Sequence, residues 1–218
     1  MSINVNKMID HTNLKPVATE ADIAKLCAEA RENGFASVCI NPCNIPMAKE
    51  LLEGSDVKVC TVIGFPLGAN SLTIKAAETA EAYDMGCDEF DMVINIGALK
   101  DKKYDYVRDE IAAVVAAAKG KCVKVIIETG LLTDEEKVMA TKLSCEAGAC
   151  FVKTSTGISS TGATVADVAL MKANTTGGVK VKASGGIKTA EFTSQLIAAG
   201  AERIGTSSGI AIAEEMKK

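Results

Sequence analysis

The feature that most constrains the fold of this 218-residue chain is a regular alternation between short apolar segments and longer helical segments. Eight short segments rich in Val and Ile begin at Met8, Ser37, Lys58, Glu89, Val123, Phe151, Lys180 and Arg203. They are hydrophobic almost throughout, which is typical of strands that are buried on both faces of a parallel sheet. The alternation therefore predicts an α/β protein.

The intervening segments carry helix signals. Residues 20–33, 70–85, 133–147 and 188–199 have helical character, and a glycine that can end a helix follows each of them. Thr133 with Glu136 three residues later predicts a capping box. Eight strand–helix units of about 27 residues each favour a closed (β/α)8 TIM barrel over an open doubly wound sheet. Because no linker or composition shift divides residues 1–218, we predict a single catalytic domain.

Composition excludes several classes of function. The net charge is −4 and the basic residues are dispersed, so we expect no binding to nucleic acid or to an anionic membrane surface. The start of the chain lacks a secretory signal and no apolar run could span a bilayer, which predicts a cytoplasmic protein. The eight cysteines contain no CxxC pair and only one histidine is present, so neither disulfides nor a metal site are predicted.

Three charged residues interrupt the predicted buried strands. Asp91 lies in EFDMVIN, Lys153 in FVKTST and Lys182 in KVKASGG. A buried charge is costly unless it has a partner or a function. In a TIM barrel, residues near the carboxyl ends of the strands line one mouth, where active sites lie. We therefore expect these three side chains to converge there.

Two lysines and a carboxylate in one enclosed mouth indicate amine nucleophilic catalysis. A lysine is protonated at neutral pH, but burial and a neighbouring cation lower its pKa and release the free amine. Lys182 can supply that neighbouring charge to Lys153, and Asp91 can move protons as a general acid or base. The alternative is an aspartate–lysine ion pair that only braces the barrel interior.

Glycine- and serine-rich segments follow the last predicted strands. Gly185 and Gly186 follow the seventh strand, Ser207 and Ser208 follow the eighth, and Gly157 follows the sixth. TIM barrels frequently hold a phosphate group between the loops after strands seven and eight. The segments therefore predict a phosphate site, although ordinary turns have a similar composition.

Four further polar residues lie near predicted strand ends. Asp10 is expected to face the site and to pair with a lysine, whereas His11 beside it is interpreted as structural. Cys39 is expected to be a core thiol close to the mouth. Glu128 ends the fifth strand and has no predicted role.

Taken together, these segments resemble the deoxyribose-phosphate aldolase family over essentially the whole chain. The matching motifs are DHTNLKP at Asp10, VCINP at Val38, VIGFPLG at Val62, EFDMVINIGALK at Glu89, KVIIETGLL at Lys124, FVKTSTG at Phe151, VKASGGIKT at Val181 and GTSSG at Gly205. The resemblance implies a TIM barrel that reversibly cleaves 2-deoxy-D-ribose 5-phosphate to D-glyceraldehyde 3-phosphate and acetaldehyde. It also implies that the protein needs no metal or organic cofactor and forms dimers or tetramers.

The resemblance implies roles for individual residues. Lys153 would form the Schiff base, Lys182 would lower its pKa, and Asp91 would serve proton transfer. The implied phosphate contacts are Gly157, Gly185, Gly186, Ser207 and Ser208. The chain departs from some relatives at two places: Ile158 stands where they have a phosphate-binding lysine, and the chain ends without their terminal tyrosine. The first departure would weaken the preference for phosphorylated substrates, and the second would slow proton transfer.

Two other functions remain open on the sequence. Another phosphosugar barrel enzyme, either an isomerase or a different Schiff-base aldolase, would share the predicted phosphate site. A non-catalytic sugar-phosphate sensor would bind its ligand without turnover. Inactivation by borohydride in the presence of substrate distinguishes an imine-forming enzyme from an isomerase, because an isomerase forms no imine.

Overall fold

The computed structural model describes residues 4–158 and 161–217, and it confirms the predicted (β/α)8 barrel. Eight parallel strands pair in sequential order, and the eighth strand closes on the first. The strands are β1 (Ile9–Asn13), β2 (Ser37–Ile40), β3 (Lys58–Ile63), β4 (Glu89–Val93), β5 (Cys122–Ile126), β6 (Phe151–Lys153), β7 (Lys180–Ser184) and β8 (Ala201–Thr206).

The helices surround the barrel. They are α1 (Glu20–Asn33), α2 (Ile45–Leu51), α3 (Leu72–Asp84), α4 (Ile96–Lys100), α5 (Tyr104–Ala117), α6 (Asp134–Glu146), α7 (Val165–Asn174), α8 (Ala190–Ala198) and α9 (Gly209–Glu215). The capping box predicted at Thr133 is present, and a second one at Thr19 begins α1. Gly34 ends α1 at φ +61°, the left-handed conformation that glycine adopts without steric cost.

Two predicted strands end three residues early: β5 ends at Ile126 instead of continuing to Thr129, and β6 ends at Lys153 instead of continuing to Thr156. Side-chain hydroxyl groups form hydrogen bonds that hold the residues after Lys153 in place. The Thr154 hydroxyl donates to the Ser184 carbonyl at 3.1 Å, and the Thr156 hydroxyl donates to the Glu128 carboxylate at 2.5 Å. The chain therefore leaves the sheet directly after Lys153, which places this side chain at the mouth.

The barrel has an apolar shell and a charged interior. Side chains between the strands and the helices form the main hydrophobic core, which includes Phe35, Phe90, Met92 and Ile111. Inside the barrel, by contrast, several fully buried side chains carry charge, among them Asp10, Asp91 and Lys182. Within the described residues, every helix is too short or too polar to cross a membrane.

Candidate active site

The three charged residues predicted from the sequence meet at the C-terminal end of the barrel interior. Lys153 on β6 and Lys182 on β7 are direct partners in the parallel register, so their side chains lie side by side. Asp91 on β4 joins them: its Oδ2 accepts hydrogen bonds from Lys153 Nζ at 2.8 Å and from Lys182 Nζ at 2.7 Å. One carboxylate oxygen thus connects the two amines.

The other oxygen of Asp91 faces a third lysine. Oδ1 accepts a hydrogen bond from Lys124 Nζ at 2.7 Å and another from the Cys60 thiol at 3.2 Å. Burial favours the neutral acid, yet the surrounding ammonium groups hold the pKa of Asp91 well below its usual range. Asp91 is therefore a carboxylate at neutral pH.

Lys182 is a fixed cation. Its ammonium group contacts Asp10 as well as Asp91, and its side chain is fully buried. Burial favours the neutral amine, but the two carboxylates outweigh burial and raise the pKa of Lys182 above its ordinary value. Lys153 lies at the edge of the cluster, where its side chain also lines an open cavity.

A lower layer of charges lies beneath these residues, and the sequence analysis did not single it out. Lys124 Nζ contacts Glu89 at 2.7 Å, and Arg203 contacts both Glu89 at 3.0 Å and Asp10 at 2.7 Å. Lys124 carries the same signal as Lys153, a lysine inside an apolar strand, and that criterion would have found it. Glu89 and Arg203 lie at or near strand starts, where a charge is ordinarily solvated.

Asp10 links the two layers and gives the protein an acid-sensitive contact. Its Oδ1 accepts hydrogen bonds from Ser37 Oγ and Arg203 Nη1, both at 2.7 Å. Burial opposes ionisation, but Lys182 and Arg203 outweigh it and lower the pKa of Asp10 below 3.8. The stability that this carboxylate contributes is therefore present above pH 3.8 and is lost as the pH falls towards the folded-state pKa.

We predict that Asp10→Asn lowers the free energy of unfolding by about 3–5 kcal/mol at pH 7, because it leaves buried cations without their partner. The cost should shrink as the pH falls below 3.8, since the wild-type carboxylate is then being protonated in the unfolded chain. Urea unfolding of both proteins at pH 7, 5 and 3 measures this. Asp134→Asn, which changes an exposed carboxylate, serves as the control. An equal cost for Asp10→Asn at all three pH values would contradict the prediction.

A cavity of about 310 Å³ opens above Lys153. The loops after β6, β7 and β8 form one side of it, and four of the predicted phosphate residues line it: Gly157, Gly185, Gly186 and Ser207. Ser208, the fifth, lies one residue further along and precedes α9, outside the lining residues. The amine and the glycine-rich loops thus face one space.

Close backbone contact explains why these loops need glycine. A Cβ at Gly185 would lie 2.9 Å from Gly162 Cα and 3.4 Å from Gly157 Cα, and Gly185 has φ +89°. The loops after β6 and β7 therefore touch through their backbones, with no room for a side chain. Glycine at these positions lets a bound group approach the backbone of the loops closely.

Glu128 supports the loop after β6. It is 97% buried and accepts hydrogen bonds from the Thr156 backbone amide at 3.2 Å and from the Thr156 hydroxyl. Its backbone has φ +56°, which is costly for a residue other than glycine and is often found at functional sites. Glu128, to which the sequence analysis gave no role, therefore holds the loop that contains Gly157.

His11 faces away from the site. Its Nε2 lies 2.7 Å from Glu29 on α1, and its ring packs against Phe35 at 5.3 Å between centroids. This placement agrees with the structural interpretation of His11.

The cavity rim carries Ile158, whose side chain is 62% exposed. Lys15 and Lys188 also line the cavity. Two lysines thus lie near the glycine-rich loops, although residue 158 is not a lysine.

Comparison with known proteins agrees with this geometry. Residues 5–215 match the model of the DeoC/LacD family of aldolases. The chain is 60% identical to the deoxyribose-phosphate aldolase of Enterococcus faecalis over 211 residues, 96% of each chain. It is 58% identical to that of Clostridium tetani over 216 residues, 99% of this chain and all of the relative.

Solved structures give the same result. The fold superposes on a tetrameric deoxyribose phosphate aldolase from Aeropyrum pernix with a TM-score of 0.91 and 35% identity, covering 98% of this chain and 91% of the other. Family match, curated relatives and fold agree over nearly the full length. Together with an amine at the mouth of a TIM barrel, they show that this chain belongs to the DeoC/LacD family of aldolases.

Proposed function

We propose that this protein is a class I aldolase that reversibly cleaves 2-deoxy-D-ribose 5-phosphate to D-glyceraldehyde 3-phosphate and acetaldehyde. The observation that carries the proposal is the position of Lys153. Its amine shares Asp91 with the fixed cation Lys182 and also lines the cavity formed by the glycine-rich loops. Curated relatives about 60% identical to this chain are named for the same activity.

Lys153 acts as the nucleophile. Its neutral amine attacks the aldehyde carbon of the open-chain sugar, and the carbinolamine loses water to form an iminium ion. Lys182 places a positive charge beside the Lys153 amine, and Asp91 lies between the two amines, where it can accept a proton from Lys153. Asp91 and Lys182 therefore act together rather than as independent groups: Asp91 carries the proton, and Lys182 keeps its positive charge.

The iminium ion then drives cleavage of the carbon–carbon bond. Removal of the proton from the C3 hydroxyl, with Asp91 acting through a water molecule, forms the aldehyde of glyceraldehyde 3-phosphate. The electrons of the C2–C3 bond move into the iminium nitrogen and give an enamine on Lys153. Protonation of the enamine at C2 and hydrolysis release acetaldehyde and restore the amine, so the reaction needs no redox partner.

The loops bind the phosphate end of the substrate. Gly157, Gly185 and Gly186 supply backbone N–H groups, and the hydroxyls of Ser207 and Ser208 follow β8. Lys15 and Lys188 supply positive charge in this region. They offer a replacement for the lysine that some relatives have where this chain has Ile158.

Assembly and location are further parts of the proposal. The tetrameric Aeropyrum pernix relative supports a homo-oligomer, either a dimer or a tetramer. All eight cysteines are free thiols, which fits a reducing cytoplasmic compartment.

Imine trapping tests the function. We expect incubation with acetaldehyde and borohydride to fix an ethyl group on Lys153, which peptide mass spectrometry would locate. With borohydride present, deoxyribose 5-phosphate should also modify Lys153, because its iminium ion on the same amine is reduced. Without borohydride, the protein should release acetaldehyde from the phosphosugar.

The same experiment separates the alternatives. An isomerase would turn over a phosphosugar without any borohydride adduct, and a sensor would show neither turnover nor adduct. An adduct spread over surface lysines, or confined to Lys182, would remove Lys153 from its proposed role.

A further inference from the structure

Two buried thiols lie beside the proposed catalytic carboxylate. Cys39 on β2 and Cys60 on β3 are direct partners in the parallel register, and both are fully buried. Leu14 and Phe65 pack against them. The proposed aldolase mechanism uses neither thiol, so their position next to Asp91 has no assigned purpose.

The donor atoms of these residues have the spacing of a metal site. The two Sγ atoms and a carboxylate oxygen of Asp91 all lie within 4.8 Å of one another, and Cys60 Sγ is 3.2 Å from Asp91 Oδ1. Around tetrahedral zinc, with bonds of about 2.3 Å to sulfur and about 2.1 Å to oxygen, donors are separated by about 3.5–3.8 Å. Shifts of about 1 Å or less would complete this geometry.

We propose that Cys39, Cys60 and Asp91 form a binding site for a thiophilic divalent cation of the zinc and cadmium class. On binding, each thiol releases its proton to solvent and its sulfur forms a bond to the metal, while Asp91 supplies an oxygen. Three protein ligands leave a fourth position for a water molecule. No electron transfer is involved.

The surrounding charges explain why the site would select a soft cation. The cluster contains four cationic side chains and three carboxylates: Lys124, Lys153, Lys182 and Arg203, with Asp10, Glu89 and Asp91. A divalent cation bound by two thiolates adds no net charge to it. Mg²⁺ or Ca²⁺ held by Asp91 alone would add two positive charges among four cations, and both ions prefer oxygen ligands.

Metal binding would inhibit the enzyme, a consequence that rests on the proposed function. The metal competes with Lys124 for Asp91 Oδ1, and Lys124 keeps a second carboxylate in Glu89 at 2.7 Å. The bound metal also fixes the Asp91 carboxylate that Lys153 and Lys182 share. Binding itself requires only the two thiols and Asp91, and so can be tested without any activity measurement.

Cadmium titration of the full-length protein is the test, with the ultraviolet absorption of cadmium–thiolate bonds as the readout. We expect about one equivalent to bind with two thiolates per ion. Cys39→Ser and Cys60→Ser should each weaken the affinity by more than 100-fold, beyond the roughly 10–100-fold typical of losing an outer-shell partner. Circular dichroism checks that both variants are folded.

Cys87→Ser is the matched control. Cys87 is as buried as the proposed ligands, but its Sγ donates to the backbone carbonyls of Val59 and Glu89, a role that serine can fill. This variant should bind cadmium like the unmodified protein. Unchanged affinity in Cys39→Ser or Cys60→Ser would overturn the proposal.

A second thiol pair supplies the strongest competing site. Cys122 and Cys150 lie together at the other end of the barrel, and their mutual hydrogen bond lowers the pKa of Cys150 to about 6. Loss of the cadmium signal in Cys150→Ser alone would place the metal there and overturn the proposal. Zinc K-edge X-ray absorption tests the donor atoms: two sulfur neighbours with oxygen that persist in Cys150→Ser support the site, and nitrogen and oxygen neighbours alone reject it.

Discussion

Lys153→Ala should lower kcat for deoxyribose 5-phosphate cleavage by roughly 10⁴-fold or more, the scale seen when a covalent nucleophile is removed. Without the amine no iminium ion forms, and neither Lys182 nor Asp91 can replace it as the acceptor of the C2–C3 electrons. The fold should survive, because Asp91 keeps hydrogen bonds from Lys124 and Lys182. Steady-state kinetics and a circular dichroism melting curve measure the two effects.

Lys180→Ala is the matched control for this prediction. Lys180 begins the strand that carries Lys182, but its side chain is exposed and lies over the Phe151 ring at 5.8 Å. We expect kcat within about twofold of the wild-type value, as for surface positions away from the site. If Lys153→Ala kept more than about 1% of the wild-type kcat, the covalent mechanism through this residue would be wrong.

The second large effect is expected from Lys124, which the sequence analysis overlooked. Lys124→Met should lower the free energy of unfolding by about 3–5 kcal/mol, because removing one member of a buried ion pair leaves charge uncompensated. Lys124 is fully buried and contacts Glu89 and Asp91, both at 2.7 Å. Because Asp91 also loses a partner, kcat should fall at least about tenfold. Urea unfolding and kinetics of the same preparation give both numbers.

A variant at a second buried lysine distinguishes an effect on stability from an effect on catalysis. Lys75 on α3 is equally buried but lies outside the charged cluster, where it contacts Glu110 at 2.7 Å and the carbonyls of Gly68 and Val93. Lys75→Met should destabilise the protein by a similar amount while kcat of the folded fraction changes only a few-fold. If both variants lost the same stability and the same activity, Lys124 would have no specific connection to the site.

Much of the site was predictable because a charge inside an apolar strand is visible without coordinates. Asp91, Lys153 and Lys182 each interrupt a hydrophobic run, and the predicted barrel places their strands around one mouth. Glu128 shows the limit of this approach. Its role depends on the left-handed backbone at φ +56° and on contact with Thr156 in the next loop. Neither feature can be predicted from the residues next to Glu128 in the sequence.

The sequence by itself determined the order of strands and helices, because side-chain periodicity and capping residues act within a few positions of one another. It also determined which chemical groups the barrel carries. Only the tertiary structure decided which charges meet. Arg203 and Asp10 are 193 residues apart and contact each other because β8 closes on β1. Closure and strand register depend on every strand at once, so the partners within the interior follow from the whole barrel and not from any segment of it.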